Sequence, residues 1–176
     1  MIPSNKNLDF NLKLIHRIIN DRIKFLTRLT SLEPQDELRT ELGSILLETY
    51  SGTRLYIDVD EGMANILLFD ASDPSQPINQ NIKAITYKYL IFPRMEGQDS
   101  LASLLVQPIS DIEVISRDNE DYGFYSMCGF RLNFPNGKSL CIGTYLTADK
   151  IPGAWILMPE EVDVNLRYQA ITAKSE

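Results

Sequence analysis

Acidic residues gather in two short segments of this 176-residue chain, and the first could bind a cation. In "YIDVDEG", Asp58, Asp60 and Glu61 lie within four positions, and carboxylates at such spacing are ligands for divalent cations. The pattern departs from the calcium-binding loop, because Gly62 stands fifth from Asp58 rather than sixth and no glutamate stands twelfth. Two interpretations therefore stay open: a solvated hairpin turn, or part of a partner-binding surface.

The second acidic segment is "ISRDNEDYGFY", which places Asp118, Glu120 and Asp121 beside Tyr122 and Tyr125. Paired carboxylates can act as acid and base, but one sequence does not show that they flank a cleft. A solvated loop is the other alternative. Because binding residues gather on loops that a rigid sheet holds, we predict that this segment contacts a protein partner. The turn at Asp58 is its closest competitor.

The cysteines and the single histidine give no sign of a metal or redox site. Cys128 and Cys141 form no Cys-x-x-Cys pair, and His16 is far in sequence from any nucleophile motif. In the predicted strands the two cysteines point to opposite faces, so they are expected to be free thiols. We predict no catalytic residue, no metal and no cofactor.

Length and charge restrict the class of protein. The chain has 44% hydrophobic residues, which suits a single domain over residues 1–176, with a helical part at 1–52 and a β-rich part at 53–176. Lys and Arg number 17 and Asp and Glu number 24, and the net charge of -7 repels a phosphate backbone. The start "MIPSNKNLDF" lacks the apolar core of a signal peptide, and no window is long and apolar enough to span a bilayer. A cytoplasmic protein without nucleic-acid or membrane partners is expected.

The first 52 residues show helical periodicity. From Leu8 to Leu29, apolar residues recur at spacings of three and four, which predicts an amphipathic helix. "SLEPQDELRTELGSILLETYSG" predicts a second helix, with Pro34 in its first turn and Gly52 as its C-terminal cap. The short connection favours two antiparallel neighbouring helices.

After Gly52 the period changes from helical to alternating. Six segments rich in β-branched and aromatic residues predict strands: "TRLYIDV", "MANILLF", "IKAITYKYLIF", "IEVIS", "FYSMCGFRLNF" and "SLCIGTYL". Consecutive strands without long helices between them favour an antiparallel sheet. The predicted fold is therefore α+β, with the two N-terminal antiparallel helices packed on a mainly antiparallel sheet built from hairpins.

Two hairpins have a predicted register. In "GFRLNFPNGKSLCIGTYL", a three-residue loop over 135–137 pairs Phe130 with Ile142 and Leu132 with Leu140, which gives one apolar face. "VDEGM" is predicted to repeat this loop. The repeat would place six apolar residues on one core face: Leu55, Ile57, Val59, Met63, Leu67 and Phe69.

The last quarter of the chain resembles a known class of proteins. The resemblance rests on "PGAWILMPEEVD" and on five residues of the hairpin before it: Gly129, Phe130, Phe134, Asn136 and Gly137. These look like the C-terminal hairpin of small bacterial immunity proteins that neutralise polymorphic toxins, such as those of contact-dependent growth inhibition. The resemblance implies a non-enzymatic cytosolic protein that binds a cognate toxin. Many such toxins are nucleases with basic grooves, toward which an acidic protein would be steered.

Two other functions remain open from the sequence. A small hydrolase or metal-dependent enzyme would use an acidic pocket formed by residues such as Asp58, Asp60 or Asp118. A structural or assembly module would associate with itself through its helical face. A convergent acidic pocket would favour the enzyme, whereas a neighbouring gene for a large secreted toxin would favour the immunity protein.

Overall fold

Ten strands dominate the computed structural model, which describes residues 6–31, 33, 38–40, 42–60, 65–85, 87–93, 99–119 and 124–171. The helices in this part of the chain are α1 (Lys6–His16), α2 (Ile78–Ala84), α3 (Asp99–Leu105) and a 3-10 helix, Pro159–Glu161. The strands are β1 (Ile23–Thr30), β2 (Ser44–Thr49), β3 (Arg54–Asp60), β4 (Asn65–Asp70), β5 (Tyr87–Phe92), β6 (Asp111–Asn119), β7 (Phe124–Asn133), β8 (Ser139–Gly143), β9 (Trp155–Leu157) and β10 (Arg167–Ala170).

The strands form two antiparallel sheets of five strands each. Sheet A has the order β4-β3-β2-β1-β5, and sheet B has the order β10-β6-β7-β8-β9. Buried side chains of both sheets join with those of α1 and α3 in one apolar core, which includes Ile45 and Leu55 of sheet A and Phe130 and Leu140 of sheet B. The division into a single domain over residues 1–176 stays a prediction.

The predicted fold class is wrong, because the chain is mostly β and two N-terminal helices do not pack on one sheet. The first predicted helix stops at His16, and the rest of its range contains β1. Ile23, Leu26 and Leu29 lie three residues apart and so imitate a helical stripe. The same segment is rich in Ile, Phe and Thr, which favour strands, and the structure follows that preference.

The second predicted helix is also wrong, because its range contains β2. The run "SILLET" is buried on both faces, and periodicity cannot distinguish such a strand from a buried helix. Ile45 and Leu47 point into the core between the sheets, whereas Leu46 lies under α2. Gly52, the predicted helix cap, has a φ of 96° in the turn between β2 and β3.

The strand predictions after Gly52 fit the structure much better. Each of the six predicted segments overlaps a strand, and the described strand pairs are antiparallel, but the prediction of "IKAITYKYLIF" is wrong at its start because Ile82–Ala84 belongs to α2. The register of the hairpin of β7 and β8 is confirmed, with Phe130 opposite Ile142 and Leu132 opposite Leu140. Gly137 has the expected positive φ, at 80°. The Phe134 N–H donates to the Lys138 carbonyl at 3.0 Å and closes the three-residue loop.

The predicted register of the first hairpin is wrong by three residues, an odd shift that exchanges the two faces of β4. Ile57 is opposite Leu68 and Val59 is opposite Ile66, and a four-residue connection over 61–64 replaces the three-residue loop. Ile66 and Leu68 therefore join the core, while Leu67 and Phe69 point to the other face. Met63 lies outside the described residues.

A buried arginine ties the two sheets together. Arg28 of β1 is fully buried. Its guanidinium donates to the carbonyls of Gly43, Ala154, Leu38 and Arg39 at 2.9, 2.7, 3.1 and 3.0 Å. The guanidinium is charged, and these four hydrogen bonds offset part of the free-energy cost of burying that charge. They fix the chain between β1 and β2 against the start of β9.

The two cysteines are free, as predicted, but the predicted reason is wrong. A bulge leaves Cys128 without an opposite residue on β6, because Ile115 pairs with Gly129 and Ser116 pairs with Met127. The extra residue turns Cys128 to the same side of sheet B as Cys141, and both join one small apolar cluster.

Candidate protein-binding surface

The first acidic segment lies at the end of a hairpin that forms one margin of sheet A. Asp58 and Asp60 belong to β3, and the strand pairing places Asp58 opposite Leu67 and Asp60 opposite Asn65 on β4. Alternation along β3 puts both aspartates on the face opposite to the core, since their neighbours Ile57 and Val59 pack inward. Glu61 lies outside the described residues.

We call this surface the β3–β4 outer face; its six residues are Tyr56, Asp58, Asp60, Asn65, Leu67 and Phe69. Two large apolar side chains are exposed on it, with 37% of Leu67 and 39% of Phe69 accessible to solvent. Both aspartates are partly exposed. The surface thus combines an acidic end with an apolar centre.

Tyr56 is the buried residue of this face, and it lies opposite Phe69 in the strand pairing. Its ring contacts the Phe69 ring in a tilted arrangement with centroids 5.9 Å apart. Its hydroxyl forms a hydrogen bond of 2.7 Å with Ser44 Oγ. Burial raises the pKa of the Tyr56 phenol, and the nearby Asp58 charge acts in the same direction, while the Ser44 hydrogen bond lowers it. The phenol therefore stays neutral. The ring of Tyr56 packs beside the ring of Phe69.

Helix α2 limits how far the exposed surface extends. Ile82 packs with Leu29, Leu46 and Tyr56 in a separate buried cluster on the outer side of sheet A. Arg54, at the start of β3, holds α2 by donating to Asn79 Oδ1 at 3.0 Å. The helix covers the middle of the sheet and leaves the far end of the β3–β4 hairpin open.

The second acidic segment joins β6 and β7 in sheet B. Asp118 and Tyr125 are opposite each other in the strand pairing. Glu120, Asp121 and Tyr122 lie outside the described residues. Partner contact by this segment stays a prediction.

Both cysteine thiols are buried. Burial raises the pKa of Cys128 to about 12 and that of Cys141 to about 12, so both thiols are protonated at neutral pH. His16 is exposed at the end of α1. Within the described ranges, no group of three or more His, Cys, Asp or Glu side chains is placed to hold a metal ion.

The sequence named Asp58 and Asp60 as candidate partner-binding residues, which stays a prediction, and it gave no sign that Leu67 and Phe69 are exposed beside them. Leu67 and Phe69 were assigned to the core because "NILLFD" offers two equally apolar sets, and only the loop length decides between them. A local difference lies in the loop: the predicted turn "DEG" has a glycine in the same place as "PNG" but no proline to favour a three-residue turn.

Comparison with known protein families, curated proteins and solved structures finds no match for this chain. In the part of the chain that the structure describes, no helix is long and apolar enough to cross a membrane.

Proposed function

We propose that this chain is a non-enzymatic cytosolic binding protein, and most concretely an immunity protein that neutralises a cognate bacterial toxin by direct contact. The observation that carries the proposal is the β3–β4 outer face, where Asp58 and Asp60 border the exposed Leu67 and Phe69. The toxin is expected to present a basic surface, such as the substrate groove of a nuclease.

Charge and apolar contact would act at different stages of binding. The aspartates and the net charge of -7 attract a basic partner over a distance of about one Debye length, roughly 8–10 Å, and so speed association. Leu67 and Phe69 act at short range, because an aromatic side chain buried in the centre of an interface slows dissociation. Tyr56 fixes Phe69 before binding, which lowers the entropy lost in the complex.

The hairpin is suited to binding because the opposite face of both strands is packed in the core. Ile57, Ile66 and Leu68 are buried in the core on the opposite face. A rigid sheet can therefore present Leu67 and Phe69 without rearrangement. The segment over 118–122 is the competing site, and its acidic residues would contribute to the same long-range attraction.

The proposal predicts that a gene for a large secreted toxin lies beside this gene in the native host, and the toxin domain of that gene product is the test partner. Cells that express the domain should survive when this chain is co-expressed, and the two purified proteins should form a complex. Phe69→Ala should weaken both effects, whereas Leu42→Ala should not, because Leu42 is 59% exposed but lies outside the hairpin. Circular dichroism checks that both variants fold. Absence of a complex with the neighbouring toxin would contradict the proposal.

A further inference from the structure

One arginine in sheet B stacks on an aromatic ring and pairs with a carboxylate at the same time. Arg131 of β7 forms an ion pair with Glu113 of β6, which is directly opposite it in the strand pairing. The guanidinium carbon of Arg131 lies 4.0 Å from the centre of the Tyr168 ring on β10. Tyr168 is opposite Ile115, two residues along β6 from Glu113. The carboxylate and the ring are thus diagonal neighbours on adjacent antiparallel strands, and one guanidinium contacts both.

The β3–β4 outer face also has a carboxylate and a ring in diagonal positions. Asp58 is opposite Leu67, and Phe69, two residues further along β4, is opposite Tyr56. Diagonal neighbours on one face of an antiparallel pair are close enough for one long side chain to touch both. Phe69 is 39% exposed and Asp58 is partly exposed, so both are accessible to a group from another molecule.

The strand that supplies the arginine in sheet B has a counterpart in sheet A, but it carries a short side chain. β7 lies next to the strand of the carboxylate, on the side away from the ring, and β2 has the same place beside β3. Ser44 of β2 precedes Ile45, which is opposite Ile57, the residue before Asp58. The Ser44 hydroxyl bonds to the Tyr56 hydroxyl at 2.7 Å. This position therefore offers a hydroxyl where sheet B has a guanidinium.

Asp58 has no basic partner among the described residues. Its Oδ1 accepts a hydrogen bond of 2.9 Å from the Val59 N–H, which orients the carboxylate. No other donor of the described chain reaches the carboxylate, so its second oxygen can accept from a group outside this chain. Four carboxylates besides Glu113 do pair with an arginine of this chain, at 2.6–3.1 Å: Glu48 with Arg54, Asp70 with Arg17, Glu161 with Arg39 and Asp163 with Arg117.

We propose that an arginine of the cognate toxin stacks on Phe69 and donates to Asp58. Its contacts would correspond to those that Arg131 makes with Tyr168 and Glu113. This inference rests on the proposed function and specifies the chemistry of the partner at the same surface. Arginine fits better than lysine, because a planar guanidinium stacks on a ring and still donates to a carboxylate in its own plane, whereas an ammonium is a compact point charge.

A double-mutant cycle with the toxin domain tests whether Asp58 and Phe69 hold the same group. Surface plasmon resonance gives the Kd values of Asp58→Asn, of Phe69→Leu and of the variant with both changes. Phe69→Leu keeps a large apolar side chain and removes the aromatic face. Each single change should raise Kd by roughly tenfold. The double change should raise it by much less than the product of roughly a hundredfold, because either change alone already disturbs the guanidinium.

The matched control uses Asp60 in place of Asp58. Asp60 is opposite Asn65, four residues from Phe69 along β4, so it is not a diagonal neighbour of that ring. Asp60→Asn and Phe69→Leu should therefore raise Kd by the product of their single effects. Circular dichroism checks that every variant folds.

Substitutions in the toxin domain identify the group itself. Each surface arginine is changed to lysine and each surface lysine to glutamine, and every variant is measured against the wild type and against Asp58→Asn. One arginine variant should lose roughly tenfold in affinity for the wild type and little for Asp58→Asn. Independent effects of Asp58 and Phe69, or coupling of Asp58 to a toxin lysine, would overturn the inference while the complex and the proposed function remain. Absence of any complex would overturn the proposed function and this inference with it.

Discussion

The hairpin of β7 and β8 and the hairpin of β3 and β4 have similar lengths but opposite surroundings. β7 and β8 lie inside sheet B, and Leu132, Leu140 and Cys141 are all buried. The β3–β4 hairpin ends sheet A and leaves Leu67 and Phe69 exposed. The first hairpin is therefore part of the core, whereas the second has the exposed surface that we propose binds a partner. Leu132, Leu140 and Cys141 thus stabilise the fold, whereas Leu67 and Phe69 are available for binding.

The largest expected effect concerns the two thiols of the buried hairpin, Cys128 of β7 and Cys141 of β8. With a pKa of about 12, Cys141 carries about a thousandfold less thiolate at pH 8 than a free cysteine with a pKa near 8.5. The same holds for Cys128. The native protein should not react with Ellman's reagent on the timescale on which the urea-unfolded protein reacts fully. Rapid reaction of either thiol in the native protein would show that this side of sheet B is open.

A matched pair of leucine substitutions measures the difference between the hairpins directly. Leu132→Ala should lower the free energy of unfolding by about 2–5 kcal/mol, because it removes a fully buried side chain and leaves a cavity. Leu67→Ala should cost about 0.5 kcal/mol, since the side chain is already partly in water. Urea denaturation of both variants gives the two values. Equal losses would contradict the assignment of Leu67 to the outer face.

The turn of the buried hairpin should show a smaller effect. Gly137 has a φ of 80°, which costs a residue with a Cβ roughly 1–2 kcal/mol, and open space around it excludes a steric clash. Gly137→Ala should therefore lower the free energy of unfolding by about 1 kcal/mol. Lys138→Ala, at the exposed next position, should change it by less than about 0.5 kcal/mol. Indistinguishable midpoints in urea would argue against the three-residue loop.

The same comparison explains which parts of the fold were predictable from the sequence. Pro135 and Gly137 have conformational preferences that fix a loop length and hence a register. The connection after Asp60 contains Gly62 but no proline, and the apolar residues on the two faces of β4 form equivalent sets, so the register could not be chosen. The length of that connection is what exposes Leu67 and Phe69.

The N-terminal part was mispredicted for a different reason. β1 and β2 are covered on both faces, so their apolar residues do not alternate with polar ones, and spacing alone resembles a helix. The burial of Arg28 depends on carbonyls from two distant parts of the chain, the connection between β1 and β2 and the residue before β9. Such a site exists only after the sheets have assembled, and no local pattern encodes it.

The central claim is that the β3–β4 outer face binds the partner, and association kinetics with the neighbouring toxin domain test it most directly. Surface plasmon resonance at two salt concentrations would compare two multiple variants. The first combines Asp58→Asn and Asp60→Asn. The second combines Asp118→Asn, Glu120→Gln and Asp121→Asn. At low salt the first variant should associate several-fold more slowly than the wild type. At high salt the difference should be much smaller, because salt screens the same electrostatic attraction in the wild type. Unchanged kinetics for the first variant beside a clear loss for the second would contradict the account and place the site at the β6–β7 connection.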